Sequence, residues 1–292
     1  MEVCPTREEI HQRITQVGAG RKWRPILVLA IDGADVPTRP QTAKGSPPGR
    51  KKVRARRGRW KGEYREAKGL RCYLVDDDRI VHLISWHQVQ TDDELGDALR
   101  QIQHAGLIPE EAVRLCAIGD GAPWIWKWVK QLFPSARQIL DFYHCSSYLQ
   151  AVAEAQYGAD PVRATEWLEA TMARLFCNEG AGVIWGLQRL KPVSEEAAKT
   201  IDSALTYFTP RLEQIAYGSH RKGGYPIGSG AIASAHRFIA HVRLKRSGAW
   251  WYTENSNAVL ALRCARYNGT FERLFEQRRL PHISPPPKDR NG

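Results

Sequence analysis

The sequence predicts an α/β protein, with a mixed five-stranded sheet carrying a large all-helical insertion. Three observations predict it. Three strand-like apolar runs follow one another early, with no helical pattern between them. Two further strand-like runs alternate with helices, and residues 144–217 show helical spacing only.

Residues 25–31 (PILVLAI) form a short, continuous apolar run closed by Asp32-Gly33, and read as a buried strand. Residues 37–68 hold Pro47-Pro48-Gly49 and an arginine cluster without apolar period, so a loop is expected. Residues 70–75 and 79–86 are strand-like on either side of Asp76-Asp77-Asp78, a hairpin signal. Thr91 and Glu94 have capping-box spacing before Leu95, Leu99 and Ile102, which predicts a helix stopping near Gly106. A fourth strand, 113–118, ends at Gly119-Asp120-Gly121. Pro123 then opens a helix over 124–133, in which Trp124 and Trp128 share the inner face and Trp126 points away. A fifth strand spans 137–142. After the helical stretch, 218–230 is a glycine-rich break, and helical spacing resumes through Ile232, Ala235, Ile239 and Val242 and again over 258–267. The proline-rich tail is expected to be disordered.

Charge narrows the function. Of 292 residues, 43 are Lys or Arg and 31 Asp or Glu, a net charge of +12, and residues 44–71 alone contribute +10. A block of that density is expected to be a solvated arm whose polyanion partner is nucleic acid. No apolar run approaches the roughly 18 residues of a membrane span, and residues 1–22 lack a signal-peptide core, so a cytoplasmic protein is expected. The six cysteines contain no C-x-x-C pair, which speaks against a disulfide framework or a zinc ribbon.

A strand meander followed by strand–helix–strand crossovers is the ribonuclease-H-like order. Ligands of such open sheets gather at the carboxyl ends of strands, where Asp32 and Asp120 stand. Two carboxylates brought together there repel unless a cation lies between them, and oxygen ligands suit Mg²⁺ or Mn²⁺. The plain alternative for each is an Asp-Gly turn.

The runs Ile31-Asp32-Gly33-Ala34, Gly119-Asp120-Gly121-Ala122-Pro123-Trp124 and Ile139-Leu140-Asp141-Phe142-Tyr143-His144 resemble a Mutator-like DDE transposase of the Kra-type branch of bacterial insertion sequences. Pro226-Ile227-Gly228-Ser229-Gly230 and the stretch from Arg243 to Trp251 resemble that family's C-terminal signature. The resemblance implies a retroviral-integrase-like core, in which two aspartates and a glutamate hold two Mg²⁺ ions for DNA cleavage and strand transfer. Asp32 and Asp120 match the aspartates. Asp141 and His144 match residues that support them, although His144 also reads as an ordinary core histidine. The glutamate position is Ala233, so the site as written is expected to be inactive or impaired, either as an altered transposase or as a relic that binds DNA without cutting it.

The implied division is a short N-terminal stub (1–24), a core (25–144) with the basic loop, a helical insertion (145–222), a returning core segment (223–275) and a tail (276–292). The stub is shorter than the DNA-end-recognition domain that such transposases carry. Expected partners are double-stranded DNA, both element ends and target, and a second copy of the chain at the bacterial nucleoid. The candidate DNA contacts are Arg50, Lys51, Lys52, Arg54, Arg56, Arg57, Arg59 and Lys61 in the loop, with Arg243, Lys245, Arg246 and Trp250 near the end.

Overall fold

The computed structural model describes residues 3–39, 62–77 and 79–276. Its centre is a five-stranded mixed sheet of β1 (Ile26–Thr38), β2 (Glu63–Asp76), β3 (Arg79–Val89), β4 (Arg114–Gly119) and β5 (Arg137–Leu140), in the order β3-β2-β1-β4-β5. The β1–β2 and β2–β3 pairs are antiparallel, and β4 lies parallel to both β1 and β5. The first 24 residues are more than a stub. Thr6 and Glu9 form a reciprocal capping box that starts α1 (Arg7–Gly18), and Ile10 and Ile14 of that helix are buried.

The first two strands run longer than their apolar cores suggest. β1 does not stop at Asp32-Gly33, because β2 stays beside it as far as the Thr38–Glu63 pair. Beyond Ala30 it no longer pairs with β4; Trp251 bridges Thr38 on that side but uses only the Pro37 carbonyl, so among the described residues no ladder bond requires the N–H that Pro37 lacks. Residues 63–68, expected in the basic loop, therefore belong to β2, while residues 40–61 lie outside the described residues. Lys68 and Arg71, read as part of a solvated arm, are buried. Lys68 pairs with Glu66 and Asp92, and its ammonium lies 4.7 Å from the Trp124 ring centre. Arg71 donates to the Ala231 carbonyl at 2.6 Å, and its guanidinium lies near the Tyr73 and Tyr267 rings. A buried charge needs such partners.

Crossovers complete the sheet. Thr91 and Glu94 cap α2 (Asp92–His104), which leads to β4, and α3 (Pro123–Leu132), with Pro123 in its first turn, leads to β5. Trp126 was expected to point outward and is buried, its indole N–H donating to the Asp120 carbonyl at 2.8 Å. Trp128 donates likewise to the Asp92 carbonyl, so α3 is enclosed on more than one side.

The helical stretch comprises α4 (Phe142–Tyr157), α5 (Pro161–Phe176), α6 (Gly180–Arg189), α7 (Glu195–Phe208), a 3₁₀ turn at Thr209–Arg211 and α8 (Tyr217–Lys222). α8 occupies the first part of the expected glycine-rich break. The chain then returns through α9 (Gly230–His236), a π-helical turn at Arg237–His241 and the single turn α10 (Val242–Leu244). Ile232, Ala235 and Ile239 are buried as their spacing predicts, but Val242 is exposed. A π turn inserts an extra residue, shifting the repeat so that Leu244 takes the inward place.

α11 (Thr253–Asn268) and α12 (Phe271–Glu276) finish the described chain, in which no helix is long and apolar enough to cross a membrane. α11 also closes the sheet edge. The Asn257 side chain bonds both the N–H and the carbonyl of Val89, and Asn268 does the same for Ser85, at 2.8–3.1 Å. Each amide stands where a further strand would pair, so the free edge of β3 is not left as a template for another chain. Asn268→Leu strands the buried N–H and C=O of Ser85, which should cost roughly 2–4 kcal/mol in urea unfolding. A loss below about 0.5 kcal/mol would mean that the edge does not depend on this amide.

Candidate active site

The site follows from register. Parallel pairing of β1 with β4 ends at Ala30–Ile118, and pairing of β4 with β5 ends at Gly119–Leu140. Two residues past Ala30 and Ile118 come Asp32 and Asp120, and one residue past Gly119 and Leu140 come Asp120 and Asp141. Adjacent strands lie about 4.8 Å apart and paired residues share a face, so three aspartates stand in a row at the ends of three strands. The Asp141 N–H donates to the Gly119 carbonyl at 2.8 Å, which holds the last of them in line.

Backbone amides fix the three carboxylates. Asp32 accepts from the Gly33 N–H and Asp120 from the Ala122 N–H, both at 2.8 Å. Asp141 is committed at both oxygens, to the His144 N–H that it caps and to the Ser229 N–H at 2.8 Å. One oxygen each on Asp32 and Asp120 is left without such a bond. Burial raises the pKa of Asp32 to about 7, helped by the negative charges of Asp120, Asp141 and Glu66 and opposed by the Gly33 hydrogen bond. Glu66 leans over Gly33 so closely that a Cβ there would overlap its carboxylate. Only glycine fits.

Position 233 lies on α9 between two residues that reach this row. Ser229, bound by Asp141, lies one helical turn before Ala233. His236, one turn after it, brings its ring Nε2 to 3.5 Å from the free Asp32 oxygen. Ile232 is buried and Ala233 exposed, so Ala233 stands between two residues that touch the carboxylate row. His236 is buried and held neutral, its pKa lowered to about 4 by burial and then by His241 and Lys245. Sequence reading missed His236, although its three-residue spacing from position 233 was a usable signal.

His144 is exposed, which overturns the core alternative. It lines a recess of about 520 Å³ together with Asp120, Tyr148, Tyr207 and Arg211. The Tyr148 and Tyr207 rings stack at 4.0 Å. Arg211 braces the turn after Asp120 by donating to the Gly121 carbonyl at 2.8 Å. None of Tyr148, Tyr207 and Arg211 carried a sequence signal, because the fold brings them from the helical block more than 25 positions away.

The oxygens of Asp32 and Asp120 suit one hard cation. Among the described residues, no group of three His, Cys, Asp or Glu side chains is arranged to hold a metal ion.

The expected DNA contacts separate. Arg50, Lys51, Lys52, Arg54, Arg56, Arg57, Arg59 and Lys61 lie outside the described residues. Arg243, Lys245 and Arg246 are exposed around the end of α10, whereas Trp250 is half-buried, its ring 5.6 Å from that of Tyr64. Trp251 ties this segment to β1 through backbone bonds to Pro37 and Arg39.

No protein-family model matches the chain, and a search of curated proteins finds no match.

The raised pKa of Asp32 has a definite sign. An acid whose folded pKa exceeds its unfolded value of about 3.8 contributes stability below that value and loses it as pH rises toward 7. Asp32→Asn should therefore raise Tm at pH 8 in metal-free buffer by several degrees and change it little at pH 4. Equal shifts at both pH values would show that Asp32 is not the strained group.

Proposed function

We propose that this chain is a DNA phosphoryl-transfer protein of the DDE type, related to bacterial insertion-sequence transposases and impaired by alanine at position 233. The observation that carries the reading is the β1–β4 register that brings Asp32 beside Asp120. The strand order β3-β2-β1-β4-β5, with a helical block between the second aspartate and α9, supports assigning the sheet as ribonuclease-H-like.

A divalent cation bound there would supply charge stabilisation for the attacking and leaving oxygens of a phosphodiester. This chain's residues supply its setting. Asp32 and Asp120 each offer one oxygen, and the amides of Gly33 and Ala122 fix the direction in which they do so. Asp141 draws the Gly-Ser-Gly turn against the end of β5, which orients α9 over the row. Neutral His236 leaves the negative charge of the site undiminished. Exposed His144 lies on the wall beside Asp120, where an imidazole is placed to exchange a proton with a substrate oxygen.

A second reading, a relic that binds DNA without cutting it, draws its support from Ala233. Removing one charge clamp of a two-metal site costs roughly a thousandfold in rate or more. Both readings place the protein on double-stranded DNA, as a dimer or higher oligomer, in the bacterial cytoplasm.

Mn²⁺ should raise the Tm of the unaltered chain at pH 8, and Asp32→Asn or Asp120→Asn should abolish that rise. On duplex DNA, Ala233→Glu should cleave at least about a thousandfold faster than the unaltered chain in Mg²⁺. Equal cleavage by both would place the third acid elsewhere. No Mn²⁺ effect on any variant would remove the metal reading.

A further inference from the structure

A second polar recess lies where β4 and β5 begin, away from the carboxylate row. It has a volume of about 880 Å³, and Arg24, Arg114, Lys130, Arg137, Arg211 and Tyr225 line it. Glu110 and Glu213 line it too, which leaves an excess of three positive charges. The ion pairs among the described residues all lie elsewhere, so none of these five cations has a carboxylate within 4.0 Å.

Neutral groups hold the guanidiniums instead. Arg114 donates to the carbonyls of Arg24 and Gly223 at 3.0 Å, and Arg24 donates to that of Glu111 at 2.8 Å. Arg211 is fixed by the carbonyls of Tyr207 and Gly121. Tyr225 sits 5.6 Å from the Arg114 guanidinium and 5.2 Å from that of Arg137. Such contacts orient the side chains and leave their charge uncompensated. Cations gathered in a concave wall focus their field on whatever enters it.

We propose that this recess binds the phosphate groups of a single nucleic-acid strand. Planar guanidiniums match phosphate oxygens, and the volume falls in the roughly 300–1,000 Å³ range of ligand clefts. A duplex spreads its phosphates over a wider surface than such a recess offers. A strand is favoured over a free polyphosphate because Arg211 also lines the recess holding Asp120 and His144. Phosphates seated here thus continue past Arg211 toward the carboxylate row. The site depends on charge and shape alone, so it stands whether or not the chain cuts DNA.

The test is binding of fluorescent ten-residue oligothymidine to the full chain, with Lys130→Glu/Arg137→Glu as the variant. Both side chains are exposed and make no hydrogen bond that the fold needs, and circular dichroism checks folding. Lys127→Glu, on the same helix but paired with Asp93 outside the recess, is the control. The double variant should bind at least about tenfold more weakly at 0.1 M salt, with a salt slope smaller by at least about 1.4. The control should stay within about twofold of the unaltered chain. Unchanged binding by the double variant, or an equal loss in the control, overturns the proposal. Displacement of the oligonucleotide by micromolar pyrophosphate overturns the strand in favour of a free polyphosphate.

Discussion

Parallel pairing between β1 and β4 is the constraint on which the rest of the site depends. A parallel ladder carries residues forward in step, so pairing Ala30 with Ile118 commits Asp32 and Asp120 to the same level and face. β1 runs on beside β2 while β4 ends at Gly119. Asp32 therefore sits on a rigid strand, and Asp120 on the turn next to it. Slipping the register by one residue would turn one carboxylate to the opposite face.

Concentrating acids at one sheet end has a cost that the local structure partly offsets. Four backbone amides, of Gly33, Ala122, His144 and Ser229, donate to the three aspartates. Lys68 pairs with Glu66, which offsets part of the charge that Glu66 adds beside Asp32. Glycine at 121 admits the Tyr207 ring, which a Cβ would strike at 2.2 Å. These arrangements hold the carboxylates in place, while burial first, and then the charges of Asp120, Asp141 and Glu66, push the Asp32 pKa up.

Local patterns made most of the fold legible. Apolar runs located the five strands, and capping chemistry at Thr91–Glu94 and Pro123 located α2 and α3 within a residue or two. Part of what failed depended on distant partners. β1 and β2 extend through polar and proline-containing sequence because each offers the other a ladder. Other misses were local: the Asp120 carbonyl, six positions back, accepts the N–H of buried Trp126, and Val242 is exposed because a π turn breaks the repeat. Asp32 and Asp120 were legible because both follow apolar strands and precede glycine. Tyr207 and Arg211 were not, since nothing in their own neighbourhoods marks them, and His236 carried only its three-residue spacing from position 233.

The central claim is that the β1–β4 register brings Asp32 and Asp120 to neighbouring strand ends. Carbon-13 NMR titration of the Asp32 carboxyl in metal-free protein tests it most directly. The account predicts an apparent pKa near 7 that falls when Asp120 is replaced by asparagine. Titration near 3.8, unmoved by that replacement, would contradict it.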